Sequence, residues 1–344
     1  MLTYNELGNT NLGGWYQMGF FRRHWKRILI LVAFVVLTLL SLEVGSMADV
    51  SLSSFLRGDE LSRFIFLHSR LPRTMAVILS AAGLSVAGLI MQAISRNKFM
   101  SPTTAGTTDA AAFGLLLSFV FLGHRSGILQ AGFAFVFAFL GTLLFTAVIN
   151  RLKIREVVYI PLLGMMYGGV ISALSTIVAF QFEVQQTLNQ FNLGSFARLG
   201  NFDLVYIVIV PLIFSVLYAT KFSIIGLGAD FAKNLGLNYN RVVMVGLIII
   251  ALISASTFVA VGPLPFIGLI IPNMATSFFG DNLKRSIFDL MLFGACFVLF
   301  CDIASRLMIF PFEMNVSVTI SVMGGVIFMI YLLRGMYGGK RKTA

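Results

Sequence analysis

Long apolar runs separated by short polar punctuation set the architecture of this chain. An α-helix needs about 20 mostly apolar residues to cross ~30 Å of hydrocarbon. Ten stretches meet or approach that length: 28–46, 71–93, 103–122, 128–148, 157–180, 203–219, 242–261, 265–279, 286–306 and 316–333. The eighth is short and contains Pro272; if it only re-enters the bilayer, the C-terminus changes sides. Connections are short, so no separate soluble domain is expected, and no repeat of 20–50 residues is evident. The chain reads as an N-terminal segment, 1–27, a single transmembrane unit, 28–333, with one long polar loop at 220–241, and a basic tail, 334–344. The fold class is therefore an all-α polytopic membrane protein of about ten transmembrane helices.

Composition agrees. The 344 residues are 58% hydrophobic and 11% charged, with a mean hydropathy of +0.91. A soluble domain carries roughly a quarter charged residues, so this chain cannot cover a water-facing surface. Its net charge of +11 reads as membrane orientation and not as a nucleic-acid footprint. With the N-terminus in the cytoplasm, the inner segments hold 18 of the 25 Lys and Arg residues, as the positive-inside rule requires. Both termini are then cytoplasmic. Ser46-Met47-Ala48 imitates a signal-peptidase site, but the preceding apolar run exceeds a usual signal core, so it is read as a retained first helix.

Catalytic signatures are absent. The one Gly-Lys pair, Gly339-Lys340, is followed by Arg341, so there is no phosphate-binding loop for ATP. No zinc-protease motif, nucleophile elbow or Cys/His cluster occurs. Cys296 and Cys301 point about 140° apart on a helix at ~100° per residue, so neither a mutual disulfide nor a metal site is expected. Acidic residues that could fall inside the bilayer are Asp109, Asp203, Asp289 and Asp302, with Glu183 near an outer boundary. Asp302 has Arg306 one turn on and can satisfy itself. These positions make no midplane proton relay, which favours passive or externally powered transport.

Two segments carry more. Arg70-Leu71-Pro72-Arg73-Thr74 opens the second span on the outside. Two arginines at a helix start oppose the macrodipole, so either an external acidic partner or lipid phosphate explains them. The loop Gly228-Ala229-Asp230-Phe231-Ala232-Lys233-Asn234-Leu235-Gly236 predicts a short helix, with Asp230 as N-cap and Gly236 as the C-terminal glycine. Phe231 and Leu235 share one face. Such a knob reads as a plug for another protein's groove or as a helix lying on the bilayer.

Taken in order, Arg70-Leu71-Pro72-Arg73, Gly83 with Gly88 and Gln92 followed by Asn97, Gly106 through Gly114, the loop Gly228 to Gly236, Gly262-Pro263-Leu264-Pro265-Phe266-Ile267-Gly268-Leu269-Ile270-Ile271-Pro272, Asp302 through Arg306 and Gly324-Gly325 make a recognisable set. The chain resembles, from about residue 60 to 335, the permease subunit of type II ATP-binding-cassette importers for iron-siderophores, haem and vitamin B12. The run Asn97 to Thr107 resembles a branch serving catecholate or mixed catecholate siderophores.

That resemblance implies the type II importer permease fold and two permease subunits per pore, alike or different. It also implies two cytoplasmic ATPases that bind ATP-Mg, an extracytoplasmic binding protein, and a ferric siderophore as cargo, with no cofactor on this chain. It places Arg70, Arg73 and Arg306 at binding-protein docking, Gly228 to Gly236 in the ATPase cleft, and Asn97 and Phe99 at an inner gate. Ser80, Ser85 and Gln92 on the second span, and Ser172, Ser175 and Thr176 on the fifth, are candidates for the pathway wall; small polar residues equally serve helix packing. Gly164-x-x-x-Gly168 is read as a packing contact. Lys98 stands where the family has proline, Asn273 where it has histidine, and Thr276 where a basic residue is frequent. The competing readings are an ion-coupled secondary carrier of a small solute, and an importer permease for haem or a corrinoid.

Overall fold

The computed structural model describes residues 12–45, 54–55, 57, 59–123, 127–152, 159–197, 203–279, 283–310 and 312–339. Ser46-Met47-Ala48, Lys153, Arg155 and the tail from Lys340 onward lie outside the described residues. Regular structure among the described residues is entirely helical. In chain order the helices are α1 (Leu12–Glu43), α2 (Glu60–Ile65), α3 (Leu71–Ser95), α4 (Thr107–Leu122), α5 (Gly127–Arg151), α6 (Tyr159–Gln181) and α7 (Gln185–Phe191). There follow α8 (Asp203–Tyr206), α9 (Ile209–Gly226), α10 (Ala229–Asn234), α11 (Tyr239–Val261), α12 (Ile267–Phe279), α13 (Leu283–Leu307) and α14 (Val316–Gly339). A π-helical turn, Phe66–Arg70, joins α2 to α3 without a break. Asp59 caps α2, accepting from the Ser62 amide at 3.1 Å.

Seven helices among the described residues are long and apolar enough to cross a membrane, and the apolar helices α4, α12 and α14 complete the ten. Most boundaries fall within a few residues of the hydropathy reading. Two differ more. The first helix starts at Leu12, because no proline interrupts the basic stretch ahead of its apolar run. The polar loop expected at 220–241 contracts to 227–238, because α9 continues through Lys221. The ammonium of Lys221 sits 4.1 Å from the Tyr218 ring centroid, which lets a charge ride on the helix end.

The core is built around α3, which packs against α13, α11, α12 and α9. Its face of Ala, Gly and Ser lets these neighbours approach closely, the usual solution where lipid supplies no hydrophobic drive between helices. Gly88 meets the backbone of Gly268 so closely that any β-carbon there would collide with the Gly268 carbonyl. That carbonyl is one α12 cannot bond internally, since Pro272 has no N–H to offer it. By contrast α1 lies at the edge, its apolar side chains mostly exposed, and leans on α13. Both cysteines are free thiols, and that of Cys296 reaches the Ile30 carbonyl at 3.7 Å.

The eighth span is broken. Helix α12, with 13 residues, is about 20 Å long at 1.5 Å per residue, too short for ~30 Å of hydrocarbon. The chain ahead of it, 262–266, is non-helical, with Gly262 at φ 94° and Phe266 at φ 64°. Non-helical backbone at this depth is tolerated only when protein covers it. Pro263 and Pro265 remove two amides outright; the Gly262 amide bonds to Phe258 O at 2.8 Å and that of Ile267 to Pro265 O at 2.8 Å.

Candidate functional site

Three places bear on function: the N-terminal end of α3, the turn after α3, and the short helix α10.

At the N-terminal end of α3, Arg70 and, from α13, Arg306 serve the negative C-terminus of α1. Arg70 Nη1 donates to Leu42 O and Glu43 O at 2.9 and 2.8 Å. Arg306 Nη1 donates to Ser41 O at 3.0 Å and Val44 O at 2.7 Å. A helix leaves its last four carbonyls without intrahelical partners, and cations there also complement the dipole. Arg70 and Arg306 are both buried, and through these bonds they fasten α1 to the bundle. Arg73 does something else. Its Nη2 donates to Asp302 at 2.9 Å and its Nη1 to Glu313 at 2.7 Å, while Asp302 also pairs with Arg306 as the i,i+4 spacing predicts.

The turn after α3 is held by side chains the sequence only partly flags. Arg96 adopts φ 50°, in the left-handed region, and ends α3. Asn97 is buried and its Oδ1 accepts from the Phe99 amide at 2.9 Å, an Asx turn. The Phe99 ring meets Phe328 of α14 edge-on, with centroids 6.4 Å apart. Asn273 donates Nδ2 to Lys98 O and Leu269 O, both at 2.7 Å. The two expected gate residues therefore converge with Asn273 and Phe328, which hydropathy could not select.

Helix α10 stands between α9 and α11 as an exposed knob. Its N-cap is Gly228, at φ 122°, and not Asp230 as expected; Asp230 sits inside the first turn, where its charge suits the dipole. Its C-terminus closes as expected at Gly236, φ 74°, with amides of Gly236 and Leu237 bonding to Lys233 O and Ala232 O at 2.9 and 3.0 Å. This double bond pattern is a Schellman motif. Ala229 opens the helix and Ala232 is buried against the bundle, while Phe231 and Leu235 are exposed together. Lys233 is exposed as well.

The residues proposed for a pathway wall separate into two sets. Ser80 and Ser85 are fully buried, as the packing alternative expects of small polar residues. Ser85 Oγ bonds to Ala81 O at 2.7 Å and lies against Gly294, so it serves the α3–α13 contact. Gln92 is also buried, with Nε2 3.5 Å from Leu269 O. On α6, Ser172 is exposed and Thr176 half-buried, bonding back to Ser172 O at 3.0 Å; Ser175 is buried and bonds to Ile171 O at 2.9 Å. Gly164 and Gly168 pack on Thr104 and Asp109, as read from their spacing. Of the intramembrane acids, Asp302 and Asp289 are ion-paired, the latter with Arg27 at 2.9 Å. Asp109 lies in the first turn of α4.

The chain matches the model of the FecCD transport family over residues 13–334. It is 40% identical over 311 residues to the petrobactin import system permease protein YclN of Bacillus subtilis (strain 168), covering 90% of this chain and 98% of that one. It is 35% identical over 308 residues to the ferric-anguibactin transport system permease protein FatD of Vibrio anguillarum (strain ATCC 68554 / 775), covering 89% and 98%. Among solved structures, an inward-facing metal-chelate type ABC transporter superposes with a TM-score of 0.76 at 23% identity, covering 89% of this chain and 98% of that one.

Proposed function

We propose, from the premise that this chain belongs to the FecCD transport family, that it is the permease subunit of an ATP-driven importer of ferric siderophores in a bacterial cytoplasmic membrane. The cargo class rests on relatives whose names specify petrobactin and ferric-anguibactin transport. The geometry that carries the reading is α10: an apolar pair, Phe231 and Leu235, held in water by a glycine at each end of one short helix. Two exposed large apolar side chains on a rigid knob suit burial in a partner's groove. The chain has no phosphate loop of its own, so a partner must hydrolyse the ATP.

The work then divides among subunits. An extracytoplasmic binding protein delivers the chelate to the outer end of α3. Two ATPases that bind ATP-Mg close on the α10 knobs of two permease subunits, and the movement passes through α9 and α11, which flank α10 directly. Arg96 and the Asn97–Phe99 turn lie at the inner end of α3, where Phe328 and Asn273 hold them. Separating Phe99 from Phe328 opens the inner side. The acids favour this over the ion-coupled carrier, since Asp289 and Asp302 are neutralised by arginines. With the termini inside, the basic inner segments face the cytoplasm.

Reconstitution tests the reading. Proteoliposomes holding the permease, its ATPases and its binding protein should accumulate radiolabelled ferric siderophore only with internal ATP, and vanadate should stop it. Uphill uptake driven by a proton or sodium gradient without the ATPases would refute it.

A further inference from the structure

The seam between α1 and α13 gathers more positive charge at its starting end than the chain neutralises there. The two helices run side by side in the same direction: Arg27 pairs with Asp289 at 2.9 Å, the Cys296 thiol reaches Ile30 O, and Arg306 reaches Ser41 O. Carried back about one turn, that register sets Arg22 and Arg23 of α1 level with Lys284 and Arg285 in the first turn of α13. With Lys26 and Arg27 this end holds six basic residues, against two carboxylates, Asp289 and Asp281. Asp281 lies outside the described residues. Like charges set level on adjacent helices repel each other. Lys26 Nζ donates to Phe278 O at 3.2 Å; an ammonium carries three N–H groups, so two remain. The Arg27 side chain is 46% exposed, so its pair with Asp289 holds this end of α1 only weakly.

We propose that this end of the seam binds the headgroup of an anionic phospholipid of the cytoplasmic leaflet, and that the lipid bridges α1 to α13. The leaflet rests on the orientation read from the basic segments; the lipid chemistry does not. Charge sets the headgroup. A phosphodiester between facing cations turns their repulsion into attraction, worth about 1 kcal/mol per Lys or Arg at a membrane surface. Depth agrees. Trp25, next to Lys26, is exposed, and tryptophan marks the headgroup level of a bilayer. Phe278 of α12 and Phe288 of α13, each beside a contact to α1, are exposed as well. The tails also have a surface. Ile28, Leu29 and Val32 follow directly on α1 and are exposed, so a lipid with its phosphate on the cations lays its acyl chains along them. A free phosphate ion would leave that apolar face unused, which selects the lipid. Helix α1 meets the bundle chiefly through α13. Arg70 and Arg306 fasten its far end, and the headgroup fastens the near one.

The chain carries its own probe. Its two tryptophans, Trp15 and Trp25, both precede the apolar run of α1, so their quenching reports lipid beside this end. The full-length permease is reconstituted in phosphatidylcholine nanodiscs with increasing brominated phosphatidylglycerol or, separately, brominated phosphatidylcholine. Half-quenching should need a mole fraction of the anionic lipid at least about tenfold lower, the scale of two basic residues. Arg22→Gln with Arg23→Gln, and separately Lys284→Gln with Arg285→Gln, should each cut that preference at least about fivefold. Two pairs on different helices keep the result independent of one variant's folding. Lys340→Gln with Arg341→Gln, in the basic tail, should leave the preference within about twofold, since neither residue belongs to the seam. No preference in the wild type, or an equal loss in the tail variant, overturns the site. Full displacement by millimolar glycerol phosphate shows a phosphate site without acyl contacts and overturns the lipid. Proteolysis of an N-terminal tag from outside intact cells overturns the cytoplasmic placement and leaves the lipid site standing.

Discussion

Replacing Phe231 by aspartate should uncouple the permease from its ATPase without unfolding it. The side chain is 48% exposed. A phenylalanine presents roughly 150–250 Å², so about 100 Å² is available to a partner. At ~25 cal/mol per Å² that burial is worth about 2.5 kcal/mol, or roughly 70-fold in affinity. The aspartate adds a desolvation penalty in an apolar groove. Local structure should survive. Position 231 lies in the first turn of α10, where a negative charge suits the dipole, and the helix is held by the buried Ala232 and the bonds closing at Gly236. The assay is the dissociation constant of the purified ATPase for the permease in nanodiscs, with nucleotide-stimulated hydrolysis as a second readout. Lys233→Ala, elsewhere on the same helix, is the control and should change affinity less than threefold. An unchanged dissociation constant for Phe231→Asp, with correctly folded protein, refutes the assignment of α10 as the coupling element.

Three other expectations are simpler to measure. Gly88→Val should destabilise the bundle by at least ~3 kcal/mol, the upper part of the usual overpacking range, because the added carbons meet the Gly268 carbonyl; fluorescence-detected melting in detergent reads it, and an unshifted midpoint refutes the contact. Asp302→Asn should cost about 3–5 kcal/mol, since it leaves Arg73 and Arg306 short of a buried counter-charge; the same melting assay applies. Ser80→Ala should leave transport unaltered and stability equal or up to ~1 kcal/mol higher, because the buried hydroxyl has no partner to lose; impaired uptake would return Ser80 to the pathway wall.

Much of this fold is legible in the sequence because lipid imposes one rule on every span, length of apolar run. The spans that departed did so where the local code competes. Lys221 looks like a helix-ending charge, yet its stem and a cation–π contact keep it on α9. Pro265 and Phe266 fall inside the eighth span by hydropathy, but Phe266 takes a positive φ and the helix begins only at Ile267. Helix α10 was readable because it is local: an i,i+4 pair and a terminal glycine specify it. The outer cluster was not, because it depends on α1 carbonyls some 30 residues from Arg70 and over 250 from Arg306. Glu313 did leave a trace, as an isolated acid between Phe312 and Met314 in an apolar connection. Asn273 left only a departure from a family pattern.

The interrupted eighth crossing has a consequence for biogenesis. A continuous helix can leave the translocon alone, since its amides are already bonded to one another. Residues 262–266 cannot, because they are covered by Phe191, Leu193 and Gly194, synthesised far earlier, and by Gly324, synthesised later. This stretch must wait at the insertion machinery until α14 emerges, so the ribosome has to finish nearly the whole polypeptide before the central part of the bundle can seal.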